Sequence, residues 1–331
     1  MSALLEVDGL KKHFALRRSF WGGPRAHVYA VDGVSFHIDK GETLALVGES
    51  GCGKSTVGRA VLRLFAITAG QVKLDGVRID DLAAGALRPL RRRMQVVFQD
   101  PFSSLNPRMR VRDILAEPIR NFGLASSSAD LDARIDALLD TVRLPREAAR
   151  RWPHEFSGGQ RQRIGIARAL ALRPEFVVCD EPVSSLDVSI QAQIVNLLLD
   201  LQERLGLSYL FIAHDLAVVR SISARVAVMY AGRIVEIAPK RELYTLPRHP
   251  YTQALLAAVP RMRPNKARAA AVVAGELPSQ IDTVPGCTFH PRCPFAFERC
   301  RIEKPKLREI AAGHCAACHL HEPPHQPPFA N

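Results

Sequence analysis

At residues 48–55 the chain reads Gly-Glu-Ser-Gly-Cys-Gly-Lys-Ser, which matches the phosphate-binding loop pattern Gly-x-x-x-x-Gly-Lys-Ser. An apolar run typical of a strand, Thr43 to Val47, precedes the loop, and helical spacing from Ser55 to Phe65 follows it. Backbone N–H groups at that helix start can surround phosphates, Lys54 can reach the β- and γ-phosphates, and the Ser55 hydroxyl can ligate Mg²⁺. The predicted nucleotide contacts here are Ser50, Gly51, Cys52, Gly53, Lys54, Ser55 and Thr56.

A second motif supplies carboxylates. The apolar run Phe176 to Cys179 leads directly into Asp180 and Glu181, a pattern typical of a strand that is buried on both faces and ends in acidic residues. Asp180 can hold Mg²⁺ through water, and Glu181 can serve as general base or positioner for an attacking water molecule. Alone, Asp-Glu-Pro is typical of an ordinary turn. Together with the phosphate-binding loop, it predicts a site for ATP hydrolysis.

A third motif, Ser157-Gly158-Gly159-Gln160, stands just before the helical pattern of residues 161–169. Glycines that expose backbone N–H groups at a helix start form an anion site, so this stretch predicts a second phosphate-binding surface. One chain needs only one phosphate-binding loop for one ATP. We therefore expect the second surface to close over ATP held by another subunit.

Taken in order, these motifs resemble those of the ATP-binding cassette (ABC) ATPases. In that family the signature usually begins with Leu, where this chain has Phe156 before Ser157. The resemblance implies that Gln99 is the glutamine near Mg²⁺ and the attacking water, at the junction with a transmembrane partner, and so a Mg²⁺ ligand with Ser55 and Asp180. It implies that His214 contacts the γ-phosphate and that Asp187, in Ser-Leu-Asp, belongs to the D-loop.

The resemblance covers residues 4 to about 240 and implies an α/β P-loop NTPase fold. It implies a RecA-like core with an antiparallel β subdomain over 1–98 and 164–240, and a helical subdomain with the Q-loop and signature over 99–163. The alternation of strand and helix patterns independently favours an α/β core with a parallel sheet. We predict a Cys-rich C-terminal region over 241–331, with a disordered Pro-rich end from His321.

Local patterns predict several elements. Residues 3–47 are expected to form short strands separated by turns at Asp32-Gly33 and Lys40-Gly41, with a loop from Arg17 to Arg25. Val188 to Leu205 is predicted to be an amphipathic helix, and Leu131 to Val142 is predicted to be helical within the insertion. The resemblance implies that Phe14 stacks on adenine, and Tyr29 is an alternative because the insertion at 15–27 blurs the alignment.

A finer resemblance concerns three stretches, 98–107, 180–193 and 248–256, which look like those of oligopeptide/dipeptide importer ATPases. The Val-Ser form of the acidic motif resembles the second, F-type ATPase of such importers. This implies a peripheral ATPase subunit at the cytoplasmic face of a bacterial inner membrane. Its implied partners are two transmembrane permease subunits, a second ABC ATPase subunit in a heterodimer and, indirectly, an extracytoplasmic peptide-binding protein. An importer of another solute, such as nickel, is the alternative within this family.

Five of the seven cysteines lie within 32 residues near the C-terminus. In a cytosolic protein such a cluster favours a metal site over a disulfide framework. The spacing offers four thiolates, enough for a [4Fe-4S] cluster or tetrahedral Zn²⁺. The resemblance to peptide-importer ATPases implies a [4Fe-4S] cluster, with Zn²⁺ or no metal as alternatives and Cys315 spare. The implied ligands are Cys287, Cys293, Cys300 and Cys318.

Composition and charge exclude little. No stretch approaches the about 18 apolar residues that a spanning helix requires, and the start of the chain is not a signal peptide, so we expect a soluble, intracellular chain. The net charge of +12 permits a nucleic-acid, lipid or membrane-protein partner. A soluble ABC ATPase that acts on nucleic acid is therefore the alternative from another class. Such proteins usually carry two cassettes or a long coiled coil, which this chain lacks, so no nucleic-acid partner is expected.

Overall fold

The computed structural model describes residues 3–16, 27–258, 281 and 285–322. Within these residues it forms two sheets surrounded by helices. The strands are β1 (Ala3–Ala15), β2 (His27–Asp39), β3 (Thr43–Val47), β4 (Ala69–Leu74), β5 (Val77–Arg78), β6 (Met94–Val97), β7 (Phe176–Asp180), β8 (Ser208–Ala213), β9 (Arg225–Tyr230), β10 (Arg233–Pro239), β11 (Arg308–Ala311) and β12 (His314–Ala316).

The helices lie between these strands, and most of the longer ones fall between β6 and β8. They are α1 (Lys54–Val61), α2 (Ala84–Arg93), α3 (Pro101–Ser104), α4 (Val111–Asn121), α5 (Ser128–Thr141), α6 (Gly158–Leu170), α7 (Val188–Leu205), α8 (Leu216–Ile222), α9 (Lys240–Thr245), α10 (Pro250–Ala257) and α11 (Glu298–Ile302). The helix predicted over Val188 to Leu205 is α7, and the helical prediction for the insertion is confirmed by α4, α5 and α6.

The larger sheet has the order β11-β12-β10-β9-β3-β8-β7-β6. Its strands β9, β3, β8, β7 and β6 pair in parallel, which confirms the predicted parallel core. Strand β10 pairs antiparallel with β9, and β12 pairs antiparallel with β10. The C-terminal residues therefore extend the core sheet itself.

The smaller sheet is antiparallel, with the order β2-β1-β4-β5. The prediction of a turn at Asp32-Gly33 is wrong, because β2 runs without interruption from His27 to Asp39. The pairing with β1 shifts register there, and Gly33 adopts a φ of 82°. The two residues form a bulge, which tolerates a glycine in the left-handed region without ending the strand. The turn at Lys40-Gly41 is confirmed.

Two apolar clusters cover the two faces of the larger sheet. Strand β3 contributes Ala45 and Val47 to one cluster and Leu44 and Leu46 to the other. A strand that is buried on both faces needs a continuous apolar run, and this is the run that precedes the phosphate-binding loop. The loop therefore begins at a fixed point in the core.

Two predictions fall wholly or partly outside the described residues. The predicted loop from Arg17 to Arg25 lies outside them. The predicted disorder from His321 onward differs from the structure for its first two residues: His321 lies with Nε2 3.0 Å from the carbonyl oxygen of Arg248, and Glu322 is buried. The rest of that segment, from Pro323, lies outside the described residues.

Candidate nucleotide site

The phosphate-binding loop joins β3 to α1 and is shaped by glycine. Gly53 precedes α1 with a φ of 107°, and a Cβ atom there would lie 2.1 Å from the carbonyl oxygen of Ala30. Only glycine fits both this backbone and this close approach. The Nζ of Lys54 donates to the carbonyl oxygens of Gly48 at 2.8 Å and Glu49 at 2.9 Å. These bonds hold the ammonium group inside the loop that is predicted to surround the phosphates.

The predicted magnesium ligands Ser55 and Asp180 meet at the end of β7. The Ser55 Oγ donates to Asp180 Oδ1 at 2.7 Å, and Arg59 lies 3.7 Å from Oδ2. Burial raises the pKa of the Asp180 carboxyl, although the Ser55 hydrogen bond and the Arg59 charge act in the opposite direction. A divalent cation favours the charged form of a carboxylate beside it, and Mg²⁺ prefers oxygen ligands. The hydroxyl and carboxylate oxygens present here therefore fit Mg²⁺.

The side chains of Gln99 and His214 both approach one carboxylate oxygen of Glu181. The Nε2 of Gln99 donates to Glu181 Oε2 at 2.9 Å, and His214 Nδ1 lies 3.4 Å from the same oxygen. Glu181 adopts a φ of 48°, and its backbone N–H donates to Ile212 in β8 at 3.0 Å. A non-glycine residue in this region carries strain, and such strain is concentrated at functional sites. The bend turns the Glu181 carboxylate toward the residues predicted to surround the γ-phosphate.

A cavity of about 680 Å³, here called the nucleotide cavity, is lined by most of the predicted site residues of these loops, although Cys52 and Asp180 do not belong to its wall. Sequence reasoning did not single out Ala30, Asp100 or Ser184, which also lie in its wall. Asp100 and Ser184 lie within the stretches 98–107 and 180–193 that resemble importer ATPases, whereas no motif includes Ala30. The lining residues are Ala30, Ser50, Gly51, Gly53, Lys54, Ser55, Thr56, Gln99, Asp100, Glu181, Ser184, Ser185 and His214.

The signature, residues 157–160, lies outside the wall of the nucleotide cavity, although the structure describes all four residues. Ser157 and Gln160 form a reciprocal cap at the start of α6, with N–H to side-chain oxygen distances of 3.1 and 3.4 Å. Both side chains are exposed. The Phe156 ring is buried, and the guanidinium of Arg151 lies 4.4 Å from its centroid. The departure from Leu therefore keeps an apolar anchor beneath the signature.

The two aromatic candidates for adenine have different surroundings. Phe14 is 40% exposed, its ring lies 5.7 Å from that of Phe65, and Lys12 Nζ lies 4.7 Å from its centroid. Tyr29 packs its ring 4.5 Å from that of His13. Both residues are described, and neither belongs to the lining of the nucleotide cavity. The assignment of the adenine-stacking residue stays a prediction.

The D-loop lies between β7 and α7. Ser184 and Ser185 line the nucleotide cavity, whereas Asp187 is exposed at the position that precedes the first residue of α7. The next residue, Val188, is an apolar side chain with 81% exposure. The loop therefore has one end at the cavity and the other at the surface.

The C-terminal cysteines fall into two groups. Burial raises the pKa of the Cys318 thiol to about 12, and the nearby thiols of Cys287, Cys293 and Cys300 add to that rise. The charges of three predicted ligands therefore act on the fourth. Burial also raises the pKa of Cys315, but its charged neighbours are Glu309 and Arg225. No group of three or more His, Cys, Asp or Glu side chains is arranged to hold a metal ion in the part of the chain that the structure describes.

One contact of the phosphate-binding loop had no sequence signal. Glu49 binds Arg292 and Tyr251, which lie 243 and 202 residues further along the chain. Neither partner belongs to a nucleotide motif, and no local pattern can relate residues so distant in sequence. Only the fold brings them together.

The fold and this cavity define a P-loop ATPase of the cassette type. A family model described as ABC transporter matches residues 31–184, and one described as oligopeptide/dipeptide transporter, C-terminal region, matches residues 235–300. A probable peptide ABC transporter ATP-binding protein of Sinorhizobium fredii is 51% identical over 97% of this chain and 91% of its own length. A putative peptide import ATP-binding protein of Brucella abortus is 56% identical over 96% of this chain and 94% of its own length.

Solved structures agree with these matches. An ATP-binding cassette dimer in a post-hydrolysis state, bound to ADP and phosphate, superposes with a TM-score of 0.64 at 28% identity, over 72% of this chain and 99% of that one. The cbiO1 protein of Clostridium perfringens, part of an ABC transporter complex, gives 0.63 at 25% identity, over 74% and 92%. The chain belongs to the family of ABC transporter ATP-binding proteins, and it is an ATPase. None of its helices that the structure describes combines the length and apolar character needed to cross a bilayer.

Proposed function

We propose that this chain is the ATP-hydrolysing subunit of an importer for di- or oligopeptides. The observation that carries the proposal is that one chain combines a converged ATPase cavity with residues 235–300, which match the peptide-transporter C-terminal region. The similar proteins from Sinorhizobium and Brucella are named for peptide transport or import. A role on nucleic acid has no comparable support. An importer of nickel or another solute remains the alternative for the cargo.

The geometry supports a role for each group at the nucleotide cavity. Lys54 binds the β- and γ-phosphates of ATP, and Ser55, Asp180 and Gln99 hold Mg²⁺ directly or through water. When bound, Mg²⁺ neutralises charge that develops on the phosphates. Glu181 accepts a proton from the attacking water or orients it, with its carboxylate held by Gln99 and His214. His214 is 56% exposed, so it can also turn toward the γ-phosphate.

A second ATPase subunit completes the site. Ser157 and Gln160 are exposed and do not line the nucleotide cavity, so we infer that the signature does not contact ATP held by its own chain. We infer that residues 157–160 of each subunit close over ATP on the other, with the exposed Asp187 in the same interface. ATP then stabilises the closed pair, and hydrolysis releases it. A heterodimer with a sister ATPase fits the F-type resemblance.

A surface groove suits the permease subunits. A cavity of about 1000 Å³ lies beside the nucleotide site and is lined by Phe98 and Gln99 with Arg88 of α2 and Glu117 of α4. Gln99 and Asp100 also line the nucleotide cavity, so two adjacent residues border both. Phe102, just beyond, is 61% exposed. We infer that a transmembrane permease inserts here, at the cytoplasmic face of the membrane, and that an extracytoplasmic binding protein delivers peptide to it.

Two further assignments remain part of the proposal. We propose that four of the C-terminal cysteines, Cys287, Cys293, Cys300 and Cys318, supply the ligands of a [4Fe-4S] cluster, with Zn²⁺ as the alternative. The close spacing of these cysteines in the sequence supports this choice, although the described residues form no group of three or more side chains arranged to hold a metal ion. The subdomain boundaries 1–98 with 164–240, 99–163 and 241–331 follow the same proposal, with the addition that β12 joins the core sheet.

The test measures transport and chemistry together. In cells that lack this gene, the wild-type chain should restore uptake of a labelled dipeptide, whereas Glu181→Gln should not. The purified variant should bind ATP, accumulate the closed dimer and hydrolyse ATP about 10²–10⁴-fold more slowly, since it loses its base. The matched control is Glu203→Gln, an exposed change on α7 that should leave turnover unchanged.

Affinity purification of the tagged chain from membranes, without reductant or chelator, identifies its partners. We expect two permeases and a sister ATPase to co-purify with the chain. The eluate should show a broad absorbance at about 400 nm, which is typical of charge transfer in an Fe–S cluster. Near-normal turnover in Glu181→Gln would remove Glu181 from its role. A set of soluble partners, or tight nucleic-acid binding at physiological salt, would contradict the importer. A colourless transporter complex would contradict the iron–sulfur assignment alone.

A further inference from the structure

The C-terminal part of the chain holds the phosphate-binding loop at Glu49. The guanidinium of Arg292 reaches both carboxylate oxygens of Glu49, with Nη1 to Oε2 at 3.0 Å and Nη2 to Oε1 at 3.2 Å. The Tyr251 hydroxyl accepts a hydrogen bond from the Glu49 backbone N–H at 3.0 Å. The Glu49 carbonyl oxygen accepts from Lys54. One loop residue is therefore bound through its side chain, its N–H and its carbonyl group.

Tyr251 is buried and Arg292 is largely buried, and both pack against aromatic rings. The ring of Tyr251 packs 4.6 Å from Tyr230 and 5.5 Å from Phe289, and all three rings are almost fully buried. Arg292 ends a short 3-10 turn next to this cluster, and its side chain is only 10% exposed. The Arg292 Nη1 also donates to the Tyr230 hydroxyl at 3.4 Å. Both partners are thus fixed before any nucleotide binds.

The Glu49 carboxylate poses an electrostatic problem for the loop. It places a negative charge within the segment that is proposed to bind an anionic polyphosphate, and charges of the same sign repel each other. Glu49 is 30% exposed, so solvent screens it only in part. A bidentate arginine is the partner best suited to neutralise a carboxylate while fixing its geometry.

We propose that Arg292 and Tyr251 are positioning residues for ATP binding, through which the C-terminal region sets the nucleotide affinity of the phosphate-binding loop. Arg292 neutralises and orients the Glu49 side chain, and Tyr251 fixes the Glu49 backbone. The proposal rests on ATP occupying this loop, as in the proposed function. It gives the C-terminal region a part in the ATPase cycle, in addition to any part in peptide transport.

The test uses the purified full-length chain and a fluorescent ATP analogue with Mg²⁺. We expect Arg292→Gln to raise the Kd about tenfold, because the Glu49 charge is left unpaired within the loop that binds the phosphates. The Kd of Glu49→Gln should stay within about twofold of the wild-type value. The double variant, Arg292→Gln with Glu49→Gln, should have the same Kd as Glu49→Gln, because no carboxylate then needs a partner. A purely structural role for Arg292 would not produce this rescue. Arg292→Lys, which keeps the charge but loses the bidentate contact, should have a Kd between those of the wild type and Arg292→Gln.

Two controls separate this inference from the assignment of the site. Arg299→Gln removes another paired arginine of the same region, which binds Glu303 and Glu322, and should leave the Kd unchanged. Lys54→Ala should abolish binding. If Lys54→Ala binds normally, the proposed site itself is wrong and this inference falls with it. If Lys54→Ala fails to bind but folded Arg292→Gln keeps its affinity, or the double variant is as weak as Arg292→Gln, only the positioning role is overturned.

Discussion

Asp180 is only 2% exposed at the end of β7, and burial raises its pKa, so its charge at neutral pH weakens the nucleotide-free protein. In Asp180→Asn, the amide oxygen can still accept from Ser55 while the buried charge disappears. We expect the free energy of unfolding of this variant to be about 1 kcal/mol larger than that of the wild type at neutral pH. The variant should also lose Mg²⁺-dependent hydrolysis. Chemical denaturation with and without Mg²⁺ and ATP measures both effects.

The pH dependence follows from the sign of that shift. A raised pKa in the folded state makes ionised Asp180 unfavourable above that pKa, so the wild type recovers stability relative to Asp180→Asn as the pH falls through it. The difference in the free energy of unfolding between the wild type and Asp180→Asn should therefore become smaller in acid. Asp200→Asn, an exposed change, serves as control and should alter stability by less than about 0.5 kcal/mol. A less stable Asp180→Asn at neutral pH would contradict the account.

The same scale shows what the sequence could predict about the site. Gln99, Glu181 and His214 were selected by their motifs, and the structure brings them to one carboxylate oxygen. The order of motifs was sufficient because each lies at the end of a strand of one sheet or beside it. The contact between Glu49 and Arg292 was not predictable, since it depends on long-range packing alone.

At the scale of elements, α7 was predictable from the sequence, whereas the continuous strand β2 was not. The apolar spacing of α7 extends to Gly206, which ends the helix in the left-handed conformation, so its pattern and its boundaries agree. In β2, Asp32-Gly33 has the composition of a turn. The strand nevertheless continues, because β1 pairs on both sides of the bulge and Arg233 forms an ion pair with Asp32. Tertiary pairing here overrides a local signal.

Helix α6, which begins with the signature, offers a paired test of packing. A Cβ atom at Gly159 would lie 2.5 Å from Ile190 Cγ2 of α7, whereas one at Gly165, in the same helix, would meet nothing within 4 Å. Gly159→Ala should therefore displace the signature and lower the population of ATP-dependent dimer at least about fivefold, as analytical ultracentrifugation would show. Gly165→Ala should leave dimerisation intact and stabilise the helix by about 0.5–1 kcal/mol.

A second substitution checks that the clash is the cause. Ile190→Ala removes the Cγ2 atom that the new methyl group would meet, so Gly159→Ala combined with Ile190→Ala should recover part of the dimer. If the double variant dimerises no better than Gly159→Ala, backbone flexibility at the signature, rather than its packing on α7, is what the glycine provides.

At the scale of the whole molecule, the C-terminal strand β12 is part of the larger sheet. The sequence predicts a separate Cys-rich region over 241–331 and gives no sign of β11 and β12, which have only four and three residues and carry no strand pattern. Strand β12 nevertheless pairs with β10 and brings His314 to the buried Glu236. The cassette and the region that carries the cysteines are therefore joined by one continuous sheet.

The buried Glu236 is the centre of that junction. Its carboxylate accepts hydrogen bonds from the backbone N–H groups of Arg248 at 2.7 Å and His249 at 2.9 Å, and His314 Nε2 lies 2.7 Å from it. Although burial alone raises the pKa of Glu236, the hydrogen bond from His314 and those from the backbone lower it overall. A lowered pKa means that Glu236 stabilises the fold above its unfolded-state pKa, and that this contribution is lost as the pH falls through the folded value.

Glu236→Ala should lower the free energy of unfolding by about 3 kcal/mol at neutral pH, since it leaves two N–H groups and His314 without their buried acceptor. Hydrogen exchange should show earlier opening of β12, because His314 belongs to that strand. Glu242→Ala is the matched control: its carboxylate lies 3.7 Å from the other nitrogen of His314 but is 48% exposed, so its loss should cost less than about 0.5 kcal/mol. Equal losses in the two variants would mean that burial of Glu236 is not what joins the C-terminal region to the cassette. A gap between Glu236→Ala and the wild type that narrows in acid would instead identify the ionised carboxylate as the group that holds the two together.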